Sequence, residues 1–112
     1  MNTFIYDSNN NLYSFKKLSF NETKTLQKKF VSNGQDGKNV DIDVALDVFK
    51  EVFEKCNPDY TGDFDNDIIE YNYQEIGLEN LLKLINMVFD EVFQSKGANT
   101  NKYPFLLENQ EN

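Results

Sequence analysis

Twelve residues in the middle of the chain carry the spacing closest to a metal site. Asp59-x-Thr61-x-Asp63-Phe64-x-x-Asp67-x-x-Glu70 sets oxygen ligands at positions 1, 3, 5, 9 and 12 of a calcium loop. The loop then fails at its hinge. Position 6 needs a glycine for its sharp turn and holds Phe64, while Gly62 falls two places early and position 8 is Asn66 instead of an aliphatic residue. A solvated acidic linker is the expected role of this stretch. Cys56 sits on an apolar helical pattern between Phe53 and Pro58, and the chain has no histidine to take its proton; a small buried hydrophobe is expected there. The acid pairs Glu51 with Glu54 and Asp90 with Glu91 have the elements of acid–base catalysis, but carboxylates on exposed helix faces ordinarily serve solubility. No glycine-rich phosphate loop is present. These residues predict no enzyme, no metal and no cofactor.

The elements that position these residues are helical for the most part. Thr3 to Tyr6 and Leu12 to Lys17 are short apolar runs around Asp7-Ser8-Asn9-Asn10-Asn11, whose side chains favour turns and tolerate left-handed backbone. They predict an N-terminal β-hairpin within about residues 1–18. Ser19 and Glu22 have capping-box spacing ahead of a helix from about Phe20 to Ser32, with Gly34 as its stop. Ile42, Ala45, Leu46, Phe49, Val52, Phe53 and Cys56 then recur on one helical face until Pro58, with Asp41, Asp43 and Asp47 at the dipole-positive end. Leu78, Leu81, Leu82, Ile85, Val88, Phe89 and Val92 repeat the pattern, with Phe93 at its margin and Gly97 as a stop. Between them, a short helix could begin at one of the aspartates after Asp59. The expected fold is therefore mainly α: one small helical domain over residues 1–97, with a short hairpin and two long amphipathic helices. Residues 98–112 form a polar tail around the apolar knot Tyr103-Pro104-Phe105-Leu106-Leu107, which is expected to dock in cis or on a neighbour.

The chain's 112 residues suit one domain, and by surface scaling about two thirds of the unfolded chain's surface can be buried without disulfides. No apolar run reaches the roughly 18 residues of a membrane span, and no basic segment and cleavage site mark a secretory signal. A soluble, intracellular protein is expected. The net charge is −8, with fourteen acids against three lysines in residues 41–91. Lys16, Lys17, Lys24, Lys28 and Lys29 are too few, on so acidic a body, to hold a nucleic-acid backbone.

Apolar residues also fall outside the two stripes. On a helical wheel Val44 and Val48 lie roughly 90 to 130° from the first stripe's centre, and Leu84 and Met87 roughly 100 to 160° from the second's. Either the hairpin, the first helix or the tail covers them, or they line a hydrophobic groove or self-association surface flanked by Tyr71, Tyr73 or Phe105. Such a groove accepts an amphipathic helix, and a flexible methionine among aromatics suits non-identical apolar segments.

The opening Phe4-Ile5-Tyr6-Asp7-Ser8-Asn9-Asn10-Asn11-Leu12-Tyr13-Ser14-Phe15-Lys16-Lys17-Leu18, with the paired patterns Val48-Phe49-Lys50-Glu51-Val52-Phe53 and Val88-Phe89-Asp90-Glu91-Val92-Phe93, resembles the siphophage tail assembly chaperones, in particular the tape measure chaperones of lactococcal-type phages. The resemblance spans most of the chain. It implies a nonstructural late protein of the infected host's cytoplasm, absent from the mature virion. It also implies binding to the hydrophobic, aromatic helical repeats of the tape measure protein, which stays soluble until the tail tube polymerises, and self-association of the chaperone into an oligomer. Two other classes remain open: an acidic phage adaptor or inhibitor docking on one host protein, and a virion subunit.

Overall fold

The computed structural model describes residues 2–32 and 41–93. Two strands, β1 (Phe4–Tyr6) and β2 (Leu12–Ser14), precede three α-helices: α1 (Phe20–Ser32), α2 (Ile42–Cys56) and α3 (Tyr71–Val92). A π-helical segment, Phe64–Glu70, leads directly into α3. The architecture is thus a small, mainly helical domain with an N-terminal hairpin, as the sequence predicts. Gly34, Gly97, the apolar knot with Phe105 and the tail from residue 98 lie outside the described residues.

The hairpin pairs Phe4 with Ser14, Ile5 with Tyr13 and Tyr6 with Leu12 in antiparallel register. Because successive strand side chains alternate between faces, Thr3, Ile5 and Asp7 point inward and are buried while Phe4 and Tyr6 are exposed. Its loop is organised by one carboxylate. Asp7 Oδ1 accepts the backbone N–H groups of Asn9 and Asn11 (both 2.9 Å), and Oδ2 accepts Asn11 Nδ2 (3.0 Å) and the Tyr13 hydroxyl (2.9 Å). Asn10 takes the left-handed conformation the loop needs, at φ 64°. Burial pushes the Asp7 carboxyl up, but these hydrogen bonds outweigh it and hold the group below its usual value.

Asp7→Ala removes four acceptor contacts around the loop and should cost about 2–3 kcal/mol, since water can rescue some of the exposed donors. Asp7's depressed pKa gives a stabilising contribution fully present above the ordinary aspartate value. It is lost as pH falls through the lower native value. Denaturant titrations from pH 7 to pH 2 should show the wild type losing part of its advantage over Asp7→Ala as the acid range is entered. A pH-independent gap would refute the carboxylate's role.

The helices begin and end on side-chain devices. Ser19 Oγ accepts the Glu22 N–H (3.2 Å) and Glu22 Oε1 accepts the Ser19 N–H (3.1 Å), which is the capping box read from the sequence. Asp41 caps α2 by accepting the Asp43 N–H at 2.7 Å. Asn57 closes α2, its side chain donating to the carbonyls of Phe53 and Ser14 (both 3.2 Å) and so joining helix to hairpin. The hairpin is held elsewhere by Thr3 N–H to Glu91 (2.6 Å), Ser8 N–H to the Asp67 carbonyl (3.1 Å), and buried Asn72 donating to the carbonyls of Tyr6 (2.8 Å) and Ile68 (2.7 Å).

The core joins Ile5, Phe15 and Leu18 of the N-terminal segment, Leu26 of α1, Val48, Phe49, Val52 and Phe53 of α2, Phe64 and Ile68, and Leu81, Ile85, Val88 and Val92 of α3. Val48 corrects the groove alternative of the helical-wheel reading and agrees with the other, cover within the fold. It is completely buried, because the covered face of α2 is wider than one stripe: Phe15 packs on Phe49 and Phe53, and α1 lies alongside through the ion pairs Lys29 with Glu51 and Lys55 with Glu22.

Candidate functional site

Two concavities are the candidates, one polar and one apolar. The polar recess, of about 500 Å³, lies between the hairpin loop and residues 56–62 and includes Asp7, Tyr13, Cys56, Tyr60 and Asp67. The Asp7 and Asp67 carboxylates and the Cys56 thiol already have partners within the fold. All four contacts of Asp7 are made within the hairpin. Asp67 accepts the Ser8 hydroxyl (3.2 Å) and the Asp63 N–H (3.2 Å). The Cys56 thiol lies against the Lys16 backbone, and burial pushes its pKa up. Burial, then the charge of Asp67, pushes the Tyr60 phenol up to about 12, and its hydroxyl is buried without a protein partner. A thiol and a phenol whose pKa values are both raised hold their protons, and neither is an activated nucleophile.

The region with calcium-like spacing is used structurally as well. Asp63 opens the π-helical segment by accepting the Asn66 N–H (3.3 Å) and side-chain amide (2.7 Å), which hold its carboxyl below its usual value. Phe64 at the required glycine position is buried against Phe49 and Phe53. Among the described residues, no group of three or more His, Cys, Asp or Glu side chains is arranged to hold a metal.

The apolar concavity is a groove of about 370 Å³ where the start of α2 meets the π-helical segment and α3. Ile42 and Leu46, Ile69, Tyr73, and Leu78 and Leu82 form its apolar walls, joined by the exposed carboxylates of Asp65 and Glu70. Ile42 is 44% exposed, Tyr73 45% and Leu78 48%. Neighbouring Ile76 is also exposed. Ile42 and Leu78 belong to stripes that run into the core further along each helix, at Phe49, Val52 and Phe53 and at Leu81, Ile85, Val88 and Val92. Ile42 is the first residue of α2, and Leu78 is the first after Gly77, so each stripe outruns its cover at that end.

Gly77 makes this geometry possible. Its φ of 83° and ψ of 167° break α3 out of helical conformation, in a region essentially reserved for glycine. An added Cβ would meet nothing within 4 Å, so the cost of Gly77→Ala falls on the backbone alone. Chemical denaturation should show about 1–3 kcal/mol of destabilisation. A gain of about 0.5–1 kcal/mol, the usual result of replacing a glycine inside a regular helix, would mean that α3 runs unbroken through this point.

Of the described positions read from the sequence, only Tyr73 lies in the groove. Val44 and Leu84 are half-buried against the core, and Val48 is wholly inside it. Tyr71 is half-buried, its phenol pushed up by burial and by Glu75. Met87 is 42% exposed but is not part of the groove. The sequence reading missed Ile69 and assigned Ile42, Leu46, Leu78 and Leu82 to core stripes. The signal that could have separated them was position at the helix ends.

Among the described residues, no helix is long and apolar enough to cross a membrane. Compared with known protein families, curated proteins and solved structures, the chain shows no significant match.

Proposed function

We propose that this protein binds amphipathic helices without catalysis, and that it serves as a siphophage tail assembly chaperone for the tape measure protein. The observation that carries the helix-binding part is the groove: aliphatic and aromatic walls left uncovered by the fold, with carboxylates beside them. Spaced apolar side chains of a partner helix would enter the groove, and flanking lysines or arginines of that helix would meet Asp65 and Glu70. The choice of partner comes from the resemblance of the hairpin and the paired Val-Phe segments to the chaperone family. Each bound copy covers one aggregation-prone patch of the long helical tape measure. Many weak contacts add to a durable coat that the polymerising tube can still displace. The charge of −8 keeps coated complexes apart.

Coexpression with the tape measure protein of the same genome tests this function. The expected result is a rise in soluble tape measure, with coelution that survives high salt because apolar burial is weakly screened. An insoluble tape measure with this protein eluting alone would refute the chaperone role. Salt-sensitive one-to-one capture of a host protein would favour an acidic adaptor instead.

A further inference from the structure

We propose that α1 is a displaceable cover, and that its seat on α2 and α3 takes a helix of the same pattern from a partner. Its hold is slight. Among its described side chains only Leu26 is fully buried, whereas α2 buries Val48, Phe49, Val52 and Phe53. Phe30 is half-buried, edge-on to Phe89 at 6.0 Å between centroids. The ion pairs Glu22 with Lys55 and Lys29 with Glu51 join α1 to α2 through side chains that are 39–40% exposed. Pairs this exposed contribute little and weaken with salt. A helix of 13 residues is also marginal in water without a well-packed face. Opening of so lightly packed an element needs far less free energy than global unfolding. Just before it, Leu18 is buried and its N–H bonds the Val92 carbonyl (3.0 Å), so the chain is fixed there and α1 pivots at Ser19.

What the seat accepts is written in α1 itself. Glu22, Leu26, Lys29 and Phe30 follow one another at helical steps and share a face. Opposite them stand Lys55 and Glu51 on α2, and Phe89, stacked on Phe93, at the end of α3. The seat therefore reads the order of charges along a helix as well as its apolar spacing. Its occupant is an amphipathic partner helix with an acid, an apolar residue four positions on, then a cation and an aromatic residue seven and eight positions on. Glu51, Lys55, Phe89 and Phe93 do not line the groove. The two surfaces are separate, and the seat can be tested without the groove or any tape measure.

Hydrogen–deuterium exchange of the full chain should show α1 amides less protected than those of α2 by about tenfold or more, and less protected again at high salt. The binding probe is a labelled synthetic peptide of residues 19–32. Full-chain Lys29→Glu sets two acids against each other outside the core, and circular dichroism verifies its fold. It should bind the peptide about fivefold or more tighter than wild type, because the apparent dissociation constant falls as the open fraction rises. A peptide with Leu26→Asp/Phe30→Asp should not bind, and the groove variant Ile42→Asp/Leu78→Asp should bind the unaltered peptide as wild type does. An α1 as well protected as α2 overturns the proposal. So does a peptide affinity unchanged by Lys29→Glu, or one lost in the groove variant, which would put the peptide in the groove. A Lys29→Glu protein that dimerises and ignores the peptide would give the seat to a second copy and overturn the choice of occupant.

Discussion

Phe53→Ala should lower the unfolding free energy by about 3–5 kcal/mol, against a total of roughly 5–15 kcal/mol for a domain of this kind. Phe53 is fully buried and is the hub of the aromatic core. Its ring meets Tyr60 at 5.0 Å, Tyr13 at 5.1 Å, Phe64 at 5.2 Å and Phe15 at 6.2 Å between centroids. Three of these pairs are edge-on, a geometry that contributes about 0.5–1.5 kcal/mol per pair beyond area burial. The four partners come from β2, the residues just after it, the stretch after α2 and the π-helical segment, so one truncation loosens the contacts of α2 with all four. The thermal midpoint should fall by more than about 12 °C. Phe53→Leu restores much of the volume and none of the ring contacts, and should lie between the two. If Phe53→Leu is as damaging as Phe53→Ala, ring geometry outweighs volume at this site. If Phe53→Ala costs less than about 1 kcal/mol, the aromatic hub does not hold the fold.

Much of this fold is legible in local chemistry. The Ser19 and Glu22 spacing marks the start of α1, an aspartate, Asp63, starts the π-helical segment within the acidic stretch, and the asparagine-rich loop closes the hairpin with Asn10 in left-handed conformation. Each signal acts within a few residues and survives without knowledge of tertiary structure. The strand β2 is shorter than its apolar run suggests, because Phe15 and Leu18 turn into the core instead of continuing the ladder. The site was much less legible. A wheel sorts residues by angle around a helix, whereas burial also depends on where along the axis a neighbour stops. By angle Val48 looks marginal and Leu78 central, yet Val48 is covered and Leu78 is open. Gly77 adds a second obstacle: periodicity starts afresh after it, and nothing local says that the chain breaks direction there while Tyr71 to Ile76 stay helical.

Ile42→Asp combined with Leu78→Asp should abolish coelution with the tape measure and raise the dissociation constant for a basic amphipathic helix by at least about a hundredfold. Two apolar anchors at the centre of a contact each carry on the order of 2 kcal/mol or more, and their loss is not strictly additive. The new carboxylates also bring charge to apolar walls that already include Asp65 and Glu70, so a ligand's apolar side chain would have to desolvate them. The fold should persist, since both side chains are more than two-fifths exposed and both positions begin helical runs where an acid interacts well with the helix dipole. Met87→Asp, outside the groove, should bind as wild type, while Leu84→Asp should lose helical circular dichroism because Leu84 packs on the core. This comparison separates the groove from the surface suggested by the helical wheel. Binding that survives Ile42→Asp/Leu78→Asp and disappears with Met87→Asp would transfer the site to the outer face of α3.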